Sequence, residues 1–219
     1  MTELQPLHHI QTAQSNVLAE RLQYIQIVVL DWDGVFNDGT KSAQSYSGFS
    51  EIDAMGLNML RYGLWKRNQE MPFFYIISGE DNPTAWQFVQ REHFTGLYIK
   101  IMDKRKALEE IAQRHNVEYQ HIACIYDDIN DLSMASMCGL RFLVGRESNP
   151  LFVQYAIKNS FCDYVTRHTG HQNAIREICE LMLGGLNLYD VVVTERMLMN
   201  ETYLRYFTER NKVKPMLYQ

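Results

Sequence analysis

Four short apolar runs, each ending abruptly on polar residues, constrain the fold of this 219-residue chain more than any other feature. They cover residues 25–30, 73–77, 96–100 and 121–126. Each has the length of a buried strand, and the stretches between them carry apolar residues at helical spacing. Leu57, Leu60 and Leu64 follow that spacing in one stretch, and Ala107, Leu108, Ile111 and Ala112 in another. Strands that alternate with helices across short connections predict an α/β fold, a doubly wound, Rossmann-like parallel sheet with helices on both faces. Shorter strands are expected at 140–144 and 163–165. A leader helix is expected within residues 1–23, before a sheet domain over 24–185. Gly39 and Gly48 punctuate a polar stretch that reads as a small β-hairpin over 40–49. Residues 186–219 form an extension in which Met197, Met199, Leu204 and Tyr206 read as an amphipathic helix, a docking or oligomer surface.

The strand ends carry the chemistry. Asp31 and Asp33 follow the first run, Ser78 and Gly79 the second, Lys104 the third, and Asp127, Asp128 and Asp131 the fourth. In open α/β sheets ligands bind outside the carboxyl ends of the strands, so these signals converge on one crevice. Asp31 and Asp33 face the same side if the backbone stays extended. Two neighbouring acids resist joint ionisation unless a cation or a proton is shared. Taken alone, Asp-x-Asp-Gly also fits a polar loop of turn formers after a core strand. Clustered carboxylates without a cysteine or histidine set suit a hard, oxygen-seeking ion such as Mg²⁺. A lysine and a hydroxyl beside that ion suit phosphate oxygens. Together they describe a phosphoryl-transfer site.

Composition narrows the partners. The formal charge is −5, and no basic run exceeds Lys104-Arg105-Lys106, which argues against nucleic acid and against an anionic membrane surface. Cys124, Cys138, Cys162 and Cys179 have no metal-knuckle spacing and read as buried free thiols. Without an apolar leader or a membrane-length run, a cytoplasmic protein is expected. His8-His9 reads as a solvated tail, His168 and His171 as a polar loop or substrate rim, Trp32 as packing, and Met134 and Met137 as core.

The motifs taken in order resemble those of the haloacid dehalogenase superfamily. They are Asp31-Trp32-Asp33-Gly34-Val35, Ile77-Ser78-Gly79, Lys104, and Asp127-Asp128-Ile129-Asn130-Asp131. The chain also resembles the capless subgroup of 3-deoxy-D-manno-octulosonate 8-phosphate phosphatases, with further echoes in Asn37-Asp38-Gly39, residues 49–56, Asp103-Lys104 and residues 174–179. The resemblance implies a Mg²⁺-dependent phosphomonoesterase acting on a small phosphorylated sugar or sugar acid. Asp31 would be the nucleophile that forms an aspartyl-phosphate, and Asp33 the proton carrier. Ser78, Gly79 and Lys104 would bind phosphate. Asp31, Asp127 and the Asp33 carbonyl would hold the metal, with Asp128 and Asp131 in support. Asp103 or Lys106 is an alternative to Lys104.

Neither gap between motifs has room for a cap domain. In the subgroup a neighbouring subunit shields the site, so a homo-tetramer is expected. Departures gather at the pocket walls. Glu80 stands where the subgroup usually has Arg, Ala54 replaces a Gly, Tyr126 replaces the Gly before the aspartates, and residues 169–173 replace a Gly-rich segment. Glu80, Tyr126 and His171 are therefore candidate substrate-rim residues. The alternatives are a phosphatase of another ulosonate, such as a nine-carbon sialic-acid-type phosphate, and a catalytically idle oligomerisation module. A phosphate-accepting signalling receiver is a more distant rival.

Overall fold

Strands and helices alternate along the chain in a computed structural model that describes residues 10–13, 15–41 and 47–219. In order they are β1 (Ile10–Gln11), α1 (Ser15–Leu22), β2 (Ile27–Leu30), α2 (Glu51–Asn68), β3 (Phe73–Ile77), α3 (Pro83–Arg91), β4 (Gly96–Tyr98), α4 (Lys104–His115), β5 (Ile122–Tyr126), α5 (Leu132–Ala135), β6 (Leu140–Leu143), α6 (Pro150–Lys158), β7 (Tyr164–Val165), α7 (Ala174–Gly185), α8 (Tyr189–Leu198), α9 (Glu201–Arg210) and β8 (Met216–Tyr218). They form one sheet in the order β1-β7-β6-β5-β2-β3-β4-β8. Every pairing is parallel except the antiparallel contact of β1 with β7. The doubly wound parallel sheet expected from the alternation is therefore present. The hairpin expected over 40–49 centres on residues 42–46, which lie outside the described residues, as do His8 and His9.

Side chains that alternate along each strand feed two cores, one on each face of the sheet. Val28, Leu30, Phe74, Ile76 and Ile125 pack under α1, α2, α3 and α7. Ile27, Val29, Ile77, Cys124 and Tyr126 pack under α4, α5 and α6. Strand β2 lies between β3 and β5, so chain connections leave it in both directions and open a crevice at its carboxyl end. Between β3 and β4 the chain forms only α3, too little for a cap domain.

Helix α2 starts earlier than the leucine spacing from Leu57 indicates. The Ser50 hydroxyl accepts from the Ile52 N–H (3.1 Å), and Glu51 and Asp53 occupy the first turn, where carboxylates favour a helix start. Its close packing on α7 depends on Gly63, because a Cβ there would overlap Leu183. All four cysteines are buried with free thiols. No helix among the described residues is long and apolar enough to cross a membrane.

The C-terminal extension completes the sheet and covers α2. Strand β8 extends the sheet beyond β4, with Gly96 opposite Met216. Of the four residues expected on an amphipathic face, Tyr206 is buried against Tyr62 and Trp65, with ring centroids 4.9 and 5.7 Å away. Met197, Met199 and Leu204 are exposed.

Candidate active site

Asp31 directly follows β2, and its N–H donates to the Ile125 carbonyl (2.9 Å), which ties the end of β2 to the end of β5. Trp32 is buried on the other side, stacked on Phe36 at 4.5 Å, so it packs as expected. The loop that follows is stapled by Asn37. Its Oδ1 accepts from the N–H groups of Gly34 (3.1 Å) and Gly39 (2.8 Å), and its Nδ2 donates to the Gly48 carbonyl (3.0 Å). Gly34 has φ +88°, and a Cβ there would overlap the Asp127 carboxylate and the Arg146 guanidinium. Glycine at this position lets the loop after β2 and the loop after β5 meet.

The other motifs arrive from neighbouring elements. The Ser78 N–H donates to the Tyr98 carbonyl (2.8 Å), and its hydroxyl accepts from the Glu80 N–H (3.2 Å), shaping the turn into α3. Lys104 opens α4, whose N-cap Asp103 accepts from the Arg105 N–H (3.2 Å). The Lys104 ammonium is buried and bonded to both Asp31 and Asp131. Asp103 is thus a helix cap and Lys106 is exposed, so neither takes the place of Lys104. Past β5, Asp128 caps a short turn by accepting from the Ile129 N–H (2.7 Å), and Asp131 is folded inward.

Carboxylate oxygens of Asp31, Asp127 and Asp131 lie within 4.8 Å of one another, all three residues buried. Burial and the Asp131 charge push the Asp31 carboxyl up to about 6, against the pull of Lys104. Burial, followed by the charge of Asp31, raises Asp127 to about 8, although Arg146 forms an ion pair with it. Burial alone would lower the Lys104 ammonium, but Asp31 and Asp131 hold it above its ordinary value. Three acids thus face two cations, and the all-oxygen donor set fits a Mg²⁺-type ion.

These residues line a cavity of about 440 Å³ together with Asp33, Gly79, Glu80 and Asp128. A larger cleft, about 570 Å³, lies at the amino ends of β5 and β6 beside His121 and Gly139, away from the carboxylates. Ser78 is buried and, unlike its neighbour Gly79, does not line the cavity. Two expected rim residues are elsewhere. Tyr126 is a core residue on the α4–α6 face of the sheet, and its hydroxyl donates to the Phe161 carbonyl (2.8 Å). His171 is exposed on the turn at 170–172, outside the cavity lining, because a capping box through Thr169 and Gln172 closes that turn on itself. The second histidine of that pair, His168, is paired with Glu177 through Nδ1 at 2.8 Å.

Sequence reasoning missed three contributors. Arg146 and Lys41 line the cavity as cations, and Ser47 is buried against Asp33. Lys41 pairs with Asp33 at 2.6 Å. None of the three belongs to a spaced motif. The one available signal was that Arg146 sits three residues beyond the end of β6, at the same edge of the sheet as the other sites.

Comparison with known proteins agrees with this arrangement. A family model described as haloacid dehalogenase-like hydrolase matches residues 73–175. The 3-deoxy-D-manno-octulosonate 8-phosphate phosphatase of Haemophilus influenzae is 26% identical over 175 residues, covering 76% of this chain and 87% of the relative. The crystal structure of the corresponding phosphatase from Moraxella catarrhalis, in complex with magnesium, phosphate and KDO, superposes with a TM-score of 0.68 at 24% identity. That match covers 83% of this chain and 98% of the other. A cobalt-bound form from Haemophilus influenzae gives 0.64 at 23% identity, covering 76% and 92%. With four motifs converging in order at the carboxyl edge of such a sheet, the chain is similar to the haloacid dehalogenase-like hydrolases, matching their family model over residues 73–175 and sharing its fold with capless phosphatases.

Proposed function

We propose that this protein is a Mg²⁺-dependent phosphomonoesterase that hydrolyses a small phosphorylated sugar acid of the 3-deoxy-D-manno-octulosonate 8-phosphate kind through an aspartyl-phosphate. The observation that carries the reading is the buried set of Asp31, Lys104, Asp127 and Asp131 at the floor of one cavity. Asp31, Asp127 and the Asp33 carbonyl would hold the metal. Bound there, Mg²⁺ supplies positive charge to phosphoryl oxygens and to the attacking carboxylate.

The chain's own residues divide the remaining work. An Asp31 oxygen attacks phosphorus, and the bond to the leaving alcohol breaks as Asp33 protonates that oxygen. Asp33, now a carboxylate, takes a proton from water as the water attacks the acyl phosphate, which releases inorganic phosphate and restores Asp31. Lys104 orients Asp31 and offsets charge that builds on the phosphoryl group. Gly79 offers backbone to the phosphate, with Ser78 shaping its turn.

Size and charge support this substrate class. The cavity is within the range that encloses a small metabolite. Lys41 and Arg146 place positive charge on a wall that also carries Glu80, so a substrate carboxylate has two cationic partners without an arginine at position 80. Buried free thiols fit a reducing cytoplasmic setting. A homo-tetramer is the assembly expected of a capless site, and light scattering tests it. The test of function is phosphate release from a panel of phospho-sugars and ulosonate phosphates, with and without Mg²⁺. Turnover is expected on an ulosonate phosphate and is lost with chelator. Absence of phosphate release from every phosphoester would overturn the reading in favour of an idle assembly module.

A further inference from the structure

Ser47 is buried between three polar groups that fix the direction of its hydroxyl. Its Oγ receives the Trp32 Nε1–H at 3.1 Å and the Asn82 Nδ2–H at 2.6 Å, and lies 2.5 Å from Asp33 Oδ1. An indole nitrogen can only donate. The Asn82 amide is oriented as well, because its Oδ1 caps α3 by accepting the Thr84 N–H at 3.0 Å, leaving Nδ2 to face Ser47. A hydroxyl has two lone pairs and one proton. Both lone pairs are occupied, so the proton points at Asp33.

We propose that Ser47 is a positioning residue for Asp33, and that Trp32 and Asn82 set it. The proposal rests on the phosphatase reading, in which Asp33 carries the proton. The Asp33 side chain is about a quarter exposed, and its other oxygen is held by Lys41, whose own side chain is more exposed still. Ser47 is the buried anchor of the two. It also links Asp33 to Asn82 at the start of α3, so the proton carrier is registered against the phosphate-binding end of β3. Proton transfer depends steeply on such placement.

The discriminating readout is the leaving group. In the first displacement an alkoxide leaving from an alkyl or sugar phosphate needs the Asp33 proton, whereas p-nitrophenolate leaves without it. Ser47→Ala should lower kcat/KM, which reports the steps up to departure of the leaving group, by roughly 10²-fold on an alkyl phosphate, with kcat/KM on p-nitrophenyl phosphate within about threefold of wild type. Ser47→Thr, which keeps a hydroxyl, should restore most of the loss. Asn82→Asp keeps the cap of α3 but turns a donor into an acceptor, which draws the Ser47 proton away from Asp33. It should reproduce the selective loss with Ser47 intact, and it carries the test if Ser47→Ala does not fold. Equal losses of kcat/KM on both substrates, or none, in these variants would overturn the proposal, whereas a loss of kcat alone on both reports the shared hydrolysis of the acyl phosphate. A wild-type protein that hydrolyses neither substrate would instead overturn the phosphatase reading beneath it.

Discussion

The Lys104 ammonium is bonded to the Asp31 carboxylate, although the two residues stand 73 positions apart in the chain. Strand β2 delivers one and the first turn of α4 the other. The same ammonium reaches Asp131, so a single buried cation neutralises carboxylates from the ends of both β2 and β5. Lys104→Met should lower kcat by about 10²- to 10³-fold, the usual effect of removing one preorganised charge from a developing anion. Steady-state kinetics check this, and a loss confined to KM would mean that Lys104 serves binding alone.

Arg146 would compete for Asp127 with a cation held by that carboxylate. Its guanidinium is paired with that carboxylate at the cavity wall, where Gly34 leaves room for both. Removing a positive charge beside a cation site strengthens cation binding. Arg146→Ala should tighten Mg²⁺ binding by roughly fivefold, about 1 kcal/mol for a partly exposed pair. Calorimetric titration of the protein with Mg²⁺ measures it, and weaker binding in the variant would contradict the competition.

Asp53 makes stability pH-dependent at a distance from the site. It is buried in α2, with Oδ1 accepting from the Arg176 N–H (2.9 Å) and Oδ2 without a hydrogen-bond partner among the described residues. Burial raises its carboxyl from 3.8 to about 6. The folded state therefore holds the proton more tightly than the unfolded state does. The associated stability is present below about pH 4 and lost as pH rises through about 6, up to roughly 3 kcal/mol in total. Asp53→Asn removes this dependence, so its stability relative to wild type should rise between about pH 4 and pH 7. Denaturant melts at the two pH values measure the change, and a constant difference would contradict it.

The extension stabilises the domain from outside the site. Tyr206 is buried among Tyr62, Trp65 and Tyr203, and Trp65 Nε1 donates to Glu209 at 2.7 Å. Tyr206→Ala should cost about 3 kcal/mol or more, as for other large aromatic truncations in a core, and leave kcat unchanged. Thermal melting combined with kinetics separates the two effects.

The fold and the centre of the site were legible because each signal was local. A buried run followed by a polar residue marks a strand end, and the doubly wound sheet brings those ends together. Tyr126 shows where reading by substitution fails. Strand alternation sets Tyr126 beside Cys124 and Ile122 on the α4–α6 face, opposite Ala123 and Ile125, and that pattern outweighs its position next to Asp127. Ser47, Lys41 and Arg146 were hidden for another reason. Each reaches the site from a loop whose path depends on tertiary contacts, such as the Asn37 staple to Gly39 and Gly48, with no periodicity to reveal it. The start of α2 at Glu51 was legible in principle, since Ser50 with Glu51 and Asp53 is a cap signature.

Whether Asp31 takes up the phosphoryl group is the claim on which the account turns. The direct measurement is acid quench during turnover with Mg²⁺ and an ulosonate or aryl phosphate, followed by peptide mass spectrometry. One phosphoryl group is expected on Asp31, labile to hydroxylamine as an acyl phosphate is, and absent from an inactive Asp31→Asn variant. Phosphate release that continues in Asp31→Asn, or a phosphoryl group found on another residue, would contradict it.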